Sequence, residues 1–86
     1  MTKAYLILTG REIERKALTE FLDKRPEILD WFTSFSHAVF VLGQNTSAQK
    51  LSEIIEEKFG KQTRFVTEIT AENWGRLPED YWKKLP

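Results

Sequence analysis

The stretch Leu29–Leu42, LDWFTSFSHAVFVL, constrains the fold of this chain more than any other. It contains four aromatic residues and the only His. Read as a short helix feeding one strand, it leaves the chain with three strands; read as two strands, it gives four. Ile28, Phe32 and Phe35 lie at i, i+4 and i+7, which suits a helix. Against that, Trp31-Phe32-Thr33 and Ala38–Leu42 are rich in β-formers, and the polar residues Ser34–His37 between them suit a tight connection. We read two antiparallel strands, about 29–34 and 38–43, joined by a short hairpin.

The flanking segments fit around that hairpin. Residues 3–9, KAYLILT, carry the continuous apolar run Tyr5–Leu8, as expected of an inner strand covered on both faces. Thr9 with Glu12 three residues later forms a capping-box pattern, which predicts a helix opening directly after the strand. Its buried stripe is Ile13, Ala17, Leu18, Phe21 and Leu22, and Pro26 closes it. Asn45-Thr46-Ser47 opens a second helix, with Ala48, Leu51, Ile54, Ile55 and Phe59 facing inward and Gly60 just past its end. In the last strand, Thr63–Thr70, Phe65, Thr67 and Ile69 share one side and Arg64, Val66 and Glu68 the other.

The order is thus β-α-β-β-α-β. It predicts an α+β, ferredoxin-like sandwich in a single domain: a four-stranded antiparallel sheet with two helices on one face. A C-terminal segment follows, AENWGRLPEDYWKKLP, with Trp74, Leu77, Tyr81, Trp82 and Leu85 as large apolar residues. Pro78 followed by Glu79 and Asp80 suits the first turn of a short helix. Such a tail is expected to dock, because free in water it leaves much apolar surface exposed. The sheet face opposite the helices also needs a cover. Tyr5, Ile7 and Val66, with some residues of the hairpin, are expected to project there, and a second copy of the chain, helped by the tails, to cover it. A homodimer follows, with Tyr5, Ile7, Val66, Trp74, Leu77, Tyr81 and Trp82 as candidate contacts.

Composition excludes several functions. There is no Cys, which removes disulfides, thiolate metal sites and a Cys nucleophile. The longest apolar runs, AYLIL and AVFVL, fall far short of the ~20 residues of a membrane span, so the expected location is the cytoplasm. Thirteen basic residues balance 13 acidic ones, and the balance holds within residues 1–44 and 45–86 separately. That lacks the basic excess usual in nucleic-acid binders, although a folded surface can still gather charge.

Few residues carry the pattern of a reaction. His37 stands alone, with no metal-ligand spacing or triad partner, and reads as a hairpin residue before it reads as a general base. Gly10 and Arg11 follow a strand end, where backbone amides and a guanidinium can hold an anion; Arg64 is a further candidate contact for phosphate or nucleic acid. The carboxylates Glu53, Glu56 and Glu57, and Glu79 with Asp80, read as solvated faces rather than acid–base pairs. Glu68, inside a strand, reads as a solvent-side residue or as one that pairs with Arg64 or a partner chain, an exposed pair of the usual weak kind. No catalytic residue, metal or cofactor is expected.

The segments AYLIL, WFTSFSHAVFVL, NTSAQKLSEII, RFVTEIT and WGRLPEDYWKKL together resemble the SinR-like family of small bacterial proteins. That family is related in fold to the short CRISPR-associated adaptation nucleases and to an antitoxin with ribonuclease activity. The resemblance implies a ferredoxin-like fold and a dimer. In the nucleases an Asp from each subunit, at the end of the first strand, holds a divalent metal for phosphodiester cleavage. Here Thr9 and Gly10 occupy that place, and the first Asp of the chain is Asp23. The expected function is therefore a non-catalytic, homodimeric interaction module of CRISPR-accessory or antitoxin type. The alternatives are a nuclease working through Arg11, His37 or Glu68 without the usual metal pair, and a nucleic-acid binder that does not cleave.

Overall fold

A computed structural model describes residues 2–86. The elements are β1 (Thr2–Thr9), α1 (Arg15–Asp23), β2 (Ile28–Phe32), β3 (Ala38–Gln44), α2 (Ala48–Phe59), β4 (Arg64–Ile69) and α3 (Glu79–Lys84). The opening stretch is two strands, with β2 paired antiparallel to β3 and Phe32 opposite Phe40. The four strands form one antiparallel sheet in the order β2-β3-β1-β4. Strands β1 and β2 therefore run the same way with β3 between them, and β3 and β4 run the same way with β1 between them. Each of α1 and α2 belongs to a crossover that skips one strand. The result is an α+β domain with three helices, as the alternation of element types predicts at the coarse level.

The side chains that seal the core are Tyr5 and Ile7 from β1, Ile13, Leu18 and Leu22 around α1, Val39 and Val41 from β3, and Leu51 and Ile55 from α2. Phe21 of α1 meets Phe59 of α2 edge-on, ring centroids 5.7 Å apart, which fixes the two helices side by side. Tyr5 is buried with its hydroxyl donating to the Thr46 carbonyl, 3.1 Å away. Burial pushes its phenol pKa up. Of the three candidate caps Asn45, Thr46 and Ser47, it is Ser47 that caps α2, accepting from the Lys50 amide at 3.1 Å. Gly60 ends the helix at φ 85°, a conformation that side chains with a Cβ rarely take, and its amide donates to the Glu56 carbonyl.

Two sequence expectations are corrected. Thr9 does not cap α1. It is the last residue of β1, paired with Arg64, its amide donates to the His37 carbonyl, and the Gly10 amide donates to the Thr63 carbonyl. Sheet pairing carries the strand past the point where a cap was expected, and α1 starts at Arg15 behind Glu14, which makes no side-chain cap bond. Secondly, Tyr5, Ile7 and Val66 face the helices, not the opposite side. The parity of β1 is the reverse of the one expected, and Ala4, Leu6 and Leu8 point away from the helices, level with Phe40, Phe65 and Ile69.

Candidate functional site

The sheet face away from α1 and α2 is mostly apolar: Leu6 and Leu8 from β1, Phe32 from β2, Phe40 and Leu42 from β3, Phe65 and Ile69 from β4, with Asp30 and Thr67 as its polar members. Residues 70–78 leave the end of β4 without helix or strand and bring α3 back across part of this face. The tail therefore docks, as its composition predicts, and it docks on its own chain. The Tyr81 ring lies 4.5 Å from that of Phe32 and 6.1 Å from that of Phe40, while Phe32 and Phe40 stack at 5.3 Å. The Tyr81 hydroxyl donates to the Thr33 carbonyl at 2.7 Å and accepts from the Ser34 hydroxyl at 3.1 Å. Lys84 reaches the Asp30 carboxylate at 2.9 Å and passes over the Phe32 ring, 5.2 Å from its centroid. Pro78 precedes α3, acidic Glu79 and Asp80 fill its first turn and basic Lys83 and Lys84 its last, each favourable to the helix dipole.

This cover is incomplete. No residue of α3 is fully buried. Leu8 and Phe65 face each other across β1 and β4, 40% and 62% exposed, and Phe35 in the hairpin loop is 45% exposed. Trp74, in the segment before α3, is 98% exposed. Between the tail and the sheet lies a cavity of about 270 Å³, floored by Leu6, Phe40 and Ile69 and walled by Phe35, Trp74 and Trp82. Arg76 stands in its lining as well.

The candidate anion residues are not brought together into a site. The Gly10 amide is already used by Thr63. Arg64, a candidate anion contact, has its donors engaged within the chain. Its Nε donates to the carbonyl and hydroxyl of Ser52 at 3.1 and 3.0 Å, Nη1 to the Gln62 carbonyl at 3.0 Å, and Nη2 meets Glu56 at 3.4 Å, so its donors tie α2 to β4. Arg11 is exposed and makes no hydrogen bond or ion pair among the described residues. His37 is exposed in the hairpin loop, where its carbonyl, not its ring, is engaged by Thr9. Glu68 pairs with Lys3 at 3.6 Å on the surface, an exposed and weak kind of pair, while Arg64, its expected partner, meets Glu56 instead. Among the described residues no group of three or more His, Cys, Asp or Glu could hold a metal ion, and no helix is long and apolar enough to cross a membrane.

Of the candidate contact residues, Trp74, Leu77, Tyr81 and Trp82 gather at the tail-covered face, whereas Tyr5, Ile7 and Val66 belong to the helix side. Sequence reasoning missed Leu8 and Phe65 as members of the open face, and expected hairpin residues there without singling out Phe35 and Phe40. The alternation Phe65-Thr67-Ile69 was the available signal: pairing that stripe against β1 puts Leu8 and Leu6 beside it. Comparison with protein-family models, with curated proteins and with solved structures gave no match.

Proposed function

We propose that this chain is an interaction module that associates with a second copy of itself through the half of the apolar sheet face its tail leaves open. The observation that carries the reading is the pair Leu8 and Phe65, cross-strand neighbours on that face and both substantially exposed. Neighbouring apolar residues left in water on one face favour burial against another surface. A formal net charge of zero means two copies approach without net repulsion. A ferredoxin-like, SinR-like assignment belongs to the same proposal. It is supported by the order β-α-β-β-α-β, by the two crossovers that each skip a strand, and by the apolar tail.

Sedimentation velocity across a hundredfold concentration range tests the association. A mass that rises to twice the monomer, and returns to the monomer in Phe65→Glu with an unchanged circular dichroism spectrum, supports the proposal. A monomer at every concentration overturns it.

A further inference from the structure

The cavity under the tail has the chemistry of a small-molecule site. Its floor and walls are aliphatic and aromatic, and its volume, about 270 Å³, lies near the lower end of ligand pockets and fits a one- or two-ring compound. Four of its side chains are aromatic: Phe35, Phe40, Trp74 and Trp82. Flat faces at the wall favour a flat guest, because offset or edge-on ring contacts add to the gain from burial.

Two further observations specify the guest. The only charged residue among those that line the cavity is Arg76, which makes no hydrogen bond or ion pair among the described residues. A guanidinium with free donors beside an apolar cavity is matched by a carboxylate, which it can grip at both oxygens. No acidic residue shares that lining to compete for it among the described residues. Trp74, at the wall, is almost wholly exposed, and a Cβ built on the adjoining Gly75 meets no atom within 4 Å. The space around Gly75 is open, and a guest beneath the indole removes apolar surface that now stands in water.

We infer that the cavity between α3 and the sheet binds a planar aromatic monocarboxylate, its rings against the apolar lining beneath the Trp74 indole and its carboxylate on Arg76. The inference does not depend on self-association, and the two are separated by following sedimentation alongside the binding experiment.

Isothermal titration calorimetry of the full chain with 2-naphthoate, and with the neutral isostere 2-naphthamide, tests it. The expected result is saturable binding of one naphthoate per chain, at least tenfold weaker for the amide and at least tenfold weaker in Arg76→Gln. Trp74→Ala, a change at an exposed site, is expected to weaken naphthoate by a further severalfold while leaving the melting temperature unchanged. Absence of saturable heat with naphthoate overturns the inference. So does equal binding of acid and amide, or binding indifferent to Arg76→Gln, either of which marks a greasy crevice without anion recognition.

Discussion

The two faces of the sheet are covered by opposite means. On one side, α1 and α2 put Leu18, Leu22, Leu51 and Ile55 over Tyr5, Ile7, Val39 and Val41, and every one of these side chains is fully buried. On the other, a helix of six residues, none fully buried, rests on Phe32 and Phe40 and is fastened by the Tyr81 hydroxyl and the Lys84–Asp30 pair. Close packing of fully buried side chains, with Arg64 tying α2 to β4 and Trp31 donating to Asp23, makes the first cover part of the fold itself. The second relies on two partly exposed aromatic rings, Tyr81 and Trp82, and on two hydroxyls and a surface ion pair whose net values are small because water competes for them. One face thus holds the domain together, and the other is a surface the tail occupies without sealing.

The contrast predicts a graded set of effects. Ile55→Ala strikes the sealed side and is expected to cost about 3 kcal/mol in urea unfolding; a loss under 1 kcal/mol would mean that side is loosely packed. Tyr81→Ala strikes the tail, removing a half-buried ring and its hydroxyl bonds, and about 1–2 kcal/mol is expected, together with increased binding of an apolar dye. An equal loss for the two substitutions would erase the distinction between the faces. Trp82, 36% exposed, belongs with Tyr81 rather than with the core, and its truncation to Ala is expected to cost about 1–2 kcal/mol, less than a buried indole would.

Smaller effects sharpen the picture at the rim. Arg25 donates to Glu27 at 2.6 Å and, chiefly through that hydrogen bond, holds the Glu27 carboxyl below its usual pKa. A folded pKa below the unfolded one gives stability that is present above the ordinary carboxylate range and is lost as the pH falls through the folded value. Glu27→Gln should therefore lose a little stability at neutral pH, match the parent chain once the pH falls below the folded pKa, and so flatten the acid limb of a stability-versus-pH curve; an unchanged acid limb counts against the pair. Lys84→Met is expected to cost about 0.5 kcal/mol or less, and the difference should vanish in high salt.

How much of this was readable beforehand depended on whether local pattern or tertiary pairing set the outcome. The hairpin was legible because two β-rich runs flank a short polar stretch, and α2 because Ser47, the Leu51–Ile55 stripe and Gly60 each mark a boundary or a face. The orientation of β1 was not. Tyr5-Leu6-Ile7-Leu8 is apolar at every position, so it carries no alternation, and only register against β3 and β4 decides which members meet the helices. The start of α1 failed for a related reason: the capping box at Thr9 was a sound local signal, overridden by pairing with Arg64. At the candidate site, the tail's need to dock was visible in its Trp and Tyr content, but its landing place was not. That place depends on Phe32 and Phe40 becoming cross-strand neighbours, a relation between positions that no window of residues contains. The role of Arg64 was hidden likewise, since Ser52 and Glu56 come within its reach only after α2 lies over β4.

The placement of the three indoles gives the molecule a built-in optical readout. Trp31 lies on the helix side, half-buried, its Nε1 donating to Asp23 at 2.6 Å, whereas Trp74 and Trp82 belong to the opposite side. Emission from Trp31 reports the region beneath α1, and the long-wavelength component from solvent-bathed Trp74 reports events near the tail. A single spectrum, dissected with two Trp→Phe variants, thus follows both halves of the protein at once without any attached dye.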